Sequence, residues 1–220
     1  MKSRLTIESL IRAAGEFCIR ESKYENPELY GVTDGKAVGT YIEHKFREYL
    51  DKKYEIVYSS SAGGIDFPSP DINTDVKVTS IKQPQSSCPF RTARQKVYGL
   101  GYNILLFVYE KSDDAIQQTA RLHFLHCSFI YAHRTADYQT TKMLRQMIQN
   151  DANLDDIVAY LMERNLPADE ITLNSLAEEI LKHPPEQGYL TVSNALQWRL
   201  QYGRIVKLDE SVEGIVPIVR

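Results

Sequence analysis

The chain has 220 residues, long enough for one sizeable core or a core domain with an appendage. With 43% hydrophobic and 25% charged residues it reads as an ordinary globular protein, and no run of about 18 apolar residues predicts a membrane span. A formal net charge of −3 argues against nucleic acid as partner unless basic residues are concentrated locally. Cys18, Cys88 and Cys127 are odd in number and far apart, which suggests reduced thiols in a cytoplasmic protein. The N-terminal stretch MKSRLTIESLIRAAGEF lacks the long apolar region of a secretory signal.

In chain order, Leu10, Ile11, Ala14, Phe17 and Cys18 recur at helical spacing and predict a helix over Thr6–Glu21. Tyr24–Thr33 reads as a loop broken at Asn26-Pro27. A second helix is expected from Asp34 to Lys52, burying Val38, Tyr41, Ile42, Phe46, Tyr49 and Leu50, with Glu43 adjoining that face. Tyr54–Ser60 reads as a strand, leading through Gly63-Gly64, where unusual backbone angles or close approach are permitted.

The run GGIDFPSPDINTDVKVTS then predicts two strands joined by a turn built from Pro68, Pro70, Asp71 and Asn73. Thr74–Ser80 is rich in β-branched residues, and Asp75 and Lys77, two apart, project from one face. Asp66 can lie across the hairpin from Asp75. Two acids can hold a hard divalent cation such as Mg²⁺ through oxygen, with a lysine beside it to orient or activate water. A solvated hairpin with surface charges is the blander reading of the same residues.

At these positions the chain resembles the PD-(D/E)XK nuclease superfamily, and within it the type II restriction endonucleases. Asp66 matches the first acid, and Asp75-Val76-Lys77 the D-X-K triplet. Ile65 stands where the pattern has proline. The literal Pro-Asp pair is Pro70-Asp71, but Asp71 lies four residues before Asp75, inside the turn; if that pair were the motif, Asp71 would replace Asp66. The resemblance implies metal ligation by Asp66, Asp75 and the backbone carbonyl of Val76, and catalysis through Lys77. It also implies that Glu43, on the helix before the hairpin, completes the metal shell; pairing with Arg47 at i+4 is the alternative.

From Val76 to Tyr109 the chain has no Asp or Glu, yet carries Lys77, Lys82, Arg91, Arg94 and Lys96. A basic stretch with Gln83 and Gln85 beside a metal site suits a phosphate backbone and base edges. Lys82, Gln83, Gln85, Arg91 and Arg94 are therefore candidate DNA contacts, and Gln95 is counted with them; the resemblance implies that Gln95 supports the metal site. Ile81–Phe90 reads as mostly loop and Arg91–Leu100 as a helix. Asn103–Glu110 is a continuous apolar run, expected as a buried central strand, and Ala120–Phe129 is a further strand. His123 and His126 have opposite parity on it, so strand geometry sends them to opposite faces and argues against a metal pair.

Beyond residue 135, helices are expected over Asp137–Asn150, Asp155–Asn165, Thr172–Leu181 and Thr191–Tyr202, followed by strands over Arg204–Leu208 and Gly214–Val219. Helices followed by a β-hairpin resemble a winged helix covering 153–220. The acid-free stretch Tyr189–Arg204 would then present Ser193, Asn194, Gln197 and Arg199 to a major groove. A protein-interaction or dimerising module is the alternative. Trp198, the single tryptophan, is read as a core residue.

The expected architecture is mixed α/β. A restriction-endonuclease-like sheet flanked by helices occupies residues 1–135, and a helical linker with a winged-helix-like domain occupies 136–220. The leading reading is a Mg²⁺-dependent type II restriction endonuclease acting on double-stranded DNA as a homodimer, with no membrane partner. Two readings compete with it: a non-catalytic winged-helix regulator, and a repair or recombination nuclease that recognises structure. A methyl-directed enzyme remains open within the first.

Overall fold

The computed structural model describes residues 2–56, 64–87, 92–164, 166–193 and 199–220. Its elements, in chain order, are β1 (Ser3–Arg4), α1 (Ile7–Glu21), β2 (Glu25–Asn26), α2 (Gly35–Asp51), β3 (Tyr54–Glu55), β4 (Thr74–Ser80), β5 (Gln85–Ser87), α3 (Ala93–Tyr98), β6 (Asn103–Asp114), β7 (Thr119–Ile130), α4 (Tyr138–Gln149), α5 (Leu154–Glu163), α6 (Glu170–Lys182), β8 (Thr191–Ser193), β9 (Arg199–Gln201), α7 (Gly203–Val206) and β10 (Ile215–Val219). The mixed α/β class is as expected, and the long helices of the first unit start where capping side chains allow. Thr6 and Ser9 form a reciprocal capping box at α1, and the Asp34 side chain accepts from the Lys36 N–H at α2.

The chain divides into two compact units. One comprises Met1–Ser86, Asn103–Ile130 and Ser211–Arg220; the other comprises Ser87–Tyr102 and Tyr131–Glu210. Compared with a single boundary at 135/136, Ser87–Tyr102 goes with the second unit and the last ten residues return to the first.

In the first unit a sheet runs in the order β10-β7-β6-β4, with β2 also paired to β7. β4 and β6 are parallel, Thr74 opposite Asn103 through Ser80 opposite Tyr109. Parallel neighbours need a crossover, and the chain between them supplies it. β6 is the central strand that its apolar run predicts: Ile104 to Tyr109 are all buried. Phe17 of α1 and Phe46 of α2 meet Phe107 and Phe124 of the sheet at ring separations of 5.0 to 5.9 Å, mostly edge to face. Each such pair adds about 0.5–1.5 kcal/mol beyond its buried area. Lys45 ties α2 down further. Its ammonium lies 2.6 Å from the buried Glu21 carboxylate, 3.1 Å from Asn26 Oδ1 and 3.8 Å from the Tyr24 ring centroid.

β6 and β7 pair antiparallel, with a bulge that sets two steps of β7 against one of β6: Val108 faces His126, Tyr109 faces Phe124 and Glu110 faces His123. Val108 and Glu110 share a face, so the bulge returns His123 and His126 to one face and defeats the parity argument that separates them. Among the described residues no group of three or more His, Cys, Asp or Glu stands close enough to hold a metal.

The second unit is built on α3 to α6 around Val97, Leu144, Ile157, Leu161, Leu173, Leu176, Ala177 and Ile180. The buried Asp137 carboxylate caps α4 through the Thr140 N–H at 2.8 Å and accepts from the Val192 N–H at 2.9 Å. Here the winged-helix expectation fails. The two described ends of 191–202 are strands, β8 and β9, paired antiparallel with Val192 opposite Leu200. Both side chains are buried. Their eight-residue spacing fits one face of a helix as well as a cross-strand pair, and the β-branched Thr191-Val192 together with the Asp137 contact favours the strand. The expected wing fails too: Arg204 lies in the short helix α7, and β10 pairs with β7 in the first unit, Ile215 opposite Ile130. No described helix is long and apolar enough to cross a membrane.

Candidate active site

Asp66 and Asp75 meet because the hairpin closes as its turn residues dictate. Phe67 and Thr74 exchange both backbone hydrogen bonds, at 2.9 and 3.0 Å. Asn73 takes a left-handed φ of +36°, a conformation that asparagine tolerates. The Asn103 side chain holds the Ile72 carbonyl at 2.8 Å, which pins the turn to the start of β6. Asp66 Oδ2 then accepts the Val76 N–H at 2.8 Å, and Lys77 Nζ lies 2.6 Å from Asp75 Oδ2.

α2 brings the third acid. Gly39 faces β4, where an added Cβ would sit 3.7 Å from the Val78 carbonyl oxygen, so the helix lies close over the strand. One turn on is Glu43 and one turn further Arg47. Glu43, Arg47, Gly64, Ile65, Asp66, Asp75, Val76 and Lys77 line a single cavity of about 310 Å³. Gly64 has a φ of +70°, a left-handed conformation that favours glycine. Arg47 pairs with Asp66 Oδ1. Its part in the cavity was missed by the sequence reading, although the i+4 spacing from Glu43 contains the signal: if one faces the hairpin, so does the other. Asp71 lies elsewhere, exposed and paired with Arg4, so the Pro70-Asp71 alternative is not brought to the cavity.

The electrostatics are those of crowded, partly buried acids. Burial, with the Asp66 and Asp75 charges adding and Lys77 and Arg47 opposing, pushes Glu43 up to about 7. Burial pushes Asp75 up to about 6, against the pull of Lys77 and with Asp66 adding to the rise. These residues fit a hard divalent cation. The donors are carboxylate oxygens, and Asp75 Oδ2 is buried without a hydrogen bond of acceptable geometry even though Lys77 stands beside it. A cation would offset both the burial and the repulsion that raise these acids. Glu43, Asp66 and Asp75 do not form a three-ligand chelate among the described residues. A cation here would rest on one or two carboxylates and take its other ligands from water and phosphate, a common Mg²⁺ arrangement.

The candidate DNA contacts divide. Lys82 and Gln83 are exposed and Gln85 is half-buried, on the segment that leaves β4. Thr79, on the same face as Asp75 and Lys77, organises that segment. Its hydroxyl accepts the Gln85 N–H and lies within donating distance of the Gln83 and Gln85 carbonyls, all at 3.1 Å. Thr79→Val removes these bonds, at about 0.5–1.5 kcal/mol each, while the Gln85 N–H keeps its bond to the Gln83 carbonyl at 2.8 Å. The expected result is a lower urea midpoint together with weaker DNA binding by fluorescence anisotropy; unchanged binding would mean that the segment does not touch DNA.

In the second unit, Arg94 is engaged by Glu179, with donor distances of 2.6, 3.0 and 3.1 Å, and Lys96 is fully buried, its pKa lowered by that burial. Gln95 closes the capping box of α3 with Thr92. These three are committed to the fold in ways that an acid-free stretch does not reveal. Ser193 and Arg199 face each other across the β8–β9 pair and not along a helix. Arg91, Asn194, Gln197 and Trp198 lie outside the described residues, as do Gly63, Cys88 and most of the expected strand after Tyr54.

The model of the type II restriction enzyme NspV family matches residues 4–217. Type II restriction enzyme NspV of Nostoc sp. is 55% identical over 216 residues, which covers 98% of this chain and 97% of that protein. No solved structure matches the chain. With a match over nearly its whole length, and with acids and a lysine gathered in one cavity, the chain belongs to the type II restriction enzyme NspV family.

Proposed function

We propose that the protein is a Mg²⁺-dependent endonuclease that hydrolyses phosphodiester bonds of double-stranded DNA at a specific sequence, with the PD-(D/E)XK hairpin as its centre. Family membership carries site-specific cleavage. The observation that supports the chemistry is the cavity shared by Glu43, Asp66, Asp75 and Lys77, with Lys77 2.6 Å from Asp75.

In this reading Asp66 and Asp75 hold the metal, with the Val76 carbonyl as a further ligand. Bound there, Mg²⁺ supplies charge stabilisation at the scissile phosphate and lowers the pKa of water. Lys77 orients the attacking water and balances charge that develops on the phosphate. Glu43, raised to about 7, tunes the charge of the cavity and takes or gives a proton near neutral pH. Lys82, Gln83 and Gln85 approach the DNA from the segment that leaves β4, and the β8–β9 pair offers Ser193 and Arg199. Cutting both strands calls for two such sites, so we propose a two-fold homodimer on a palindromic sequence, in the cytoplasm. The regulator alternative depended on a recognition helix and loses that support with the strands at 191–193 and 199–201.

Plasmid DNA, unmethylated and methylated, incubated with the purified protein and Mg²⁺ is the test. Discrete fragments that vanish with EDTA and with Asp75→Ala are expected, and light scattering of the same sample reports the dimer. DNA that is bound but never cut on any template would overturn the proposal.

A further inference from the structure

We infer that Arg47 gates the metal site: it holds the Asp66 carboxylate until a divalent cation takes that oxygen, and then turns to a phosphate oxygen of the DNA. The inference rests on the metal-dependent reading above and adds a residue and an order of events to it.

Both oxygens of Asp66 are occupied by the chain itself. Oδ2 accepts the Val76 N–H at 2.8 Å, and Oδ1 is paired with Arg47. Asp75 is paired with Lys77. The two aspartates are thus each balanced by a cation of the protein, and an entering ion must share an oxygen with one of these partners or displace it. The Val76 N–H is fixed in the backbone of β4 and cannot yield. Lys77 is two residues from Asp75 on the same strand, and its side chain is only 20% exposed, so it has little room to leave. Arg47 reaches across from α2 and its side chain is 41% exposed, against 15% for Asp66. It is the partner with somewhere to go.

What Arg47 does after leaving follows from its chemistry. A guanidinium keeps its charge and presents planar, paired donors that match two phosphate oxygens. A dication on Asp66 repels it from the carboxylate. The same cavity must admit the scissile phosphate, so the displaced guanidinium meets the anion that replaces Asp66 as its partner. Lysine at this position offers charge without the paired donors.

Because Arg47 competes with the metal yet assists the substrate, its removal moves two measurements in opposite directions. The expected result for Arg47→Met is Mn²⁺ binding, in the absence of DNA, tightened about threefold to tenfold, with cleavage at saturating Mg²⁺ slowed about tenfold to a hundredfold. The loss of free-ion electron paramagnetic resonance signal on Mn²⁺ titration reads the first. Arg47→Lys is expected between wild type and Met in both, and carries the test if the Met variant does not fold. A folded variant that binds Mn²⁺ no tighter than wild type overturns the gate, as does one that cleaves at the wild-type rate. Asp75→Ala separates the two levels of inference. If wild type binds no Mn²⁺ that this substitution removes, the metal-dependent reading itself fails. If wild type binds and Asp75→Ala does not, while Arg47→Met is unchanged, only the gate fails.

Discussion

Asp75→Asn is expected to abolish cleavage while making the metal-free protein harder to melt at pH 8. The loss follows from the role proposed for the carboxylate. A metal ligand contributes several kcal/mol to the transition state, and about 4 kcal/mol is a factor of about 10³ in rate. The gain follows from where the carboxylate sits. Asp75 is 5% exposed and its pKa is pushed from 3.8 to about 6 by burial. Below pH about 4 both the folded and the unfolded chain hold the proton, and the side chain costs nothing. Between about 4 and 6 the unfolded chain releases its proton while the folded one keeps it, so stability falls as pH rises and the loss is complete above about 6. At pH 8 the ionised group is a liability of roughly 1–3 kcal/mol, which corresponds to about 3–10 °C in melting temperature for a chain of this size. Asparagine has the same shape without the charge.

Mg²⁺ is expected to reverse the order, because a ligand stabilises only the protein that binds it. Thermal melts of both proteins at pH 8, in EDTA and in Mg²⁺, read out all of this. A variant that melts below wild type in EDTA would remove the electrostatic account, and one that still cuts DNA would remove the metal account.

Phe46→Ala carries the largest expected cost to the fold, and the cost reaches the site. Phe46 is fully buried, with ring centroids 5.1 Å from Phe17 and 5.0 Å from Phe107. Truncation loses the transfer free energy of the ring and leaves a cavity among groups already in close contact, for about 3–5 kcal/mol. The melting temperature should fall by about 6–20 °C. Phe46 also lies between Glu43 and Arg47 on α2, so a helix that settles into the cavity shifts both over the hairpin. Cleavage should therefore fall even at temperatures well below the new melting point, because a misplacement of about 1 Å can cost on the order of 10² in rate. Phe46→Leu, which refills most of the volume, should recover the greater part of both. Calorimetry paired with cleavage at 15 and 37 °C checks it; full activity at the lower temperature would show that α2 holds its place without this ring.

Much of the first unit was legible in the chain. Helix periodicity located α1 and α2, the continuous apolar run marked β6 as central, and the turn residues after Phe67 predicted the hairpin that sets Asp66 beside Asp75. These features are local: period, parity and turn chemistry act within a few residues, so a one-dimensional reading captures them. Glu43 was singled out by the resemblance, as the glutamate on the helix before the hairpin, and it lines the same cavity.

Only the tertiary structure decided the rest. That Arg47 takes Asp66, that Arg94 takes Glu179 and that Lys96 is fully buried depend on partners brought close from elsewhere in the chain. No local pattern reports which cation in a basic stretch is already engaged. The bulge that turns His123 and His126 to one face is set by pairing with β6, outside the reach of parity counting. Residues 191–193 and 199–201 have a spacing that suits helix and hairpin alike, and the contact of Asp137 with the Val192 N–H belongs to the folded unit alone. The last strand, Ile215–Val219, was expected as a strand but as half of a wing; its pairing with β7 of the first unit is a long-range choice. Acids and a lysine at motif spacing were thus determined by the sequence itself, while the arginine that takes Asp66, and the sheet to which the chain returns, were decided by long-range packing, which a local pattern does not encode.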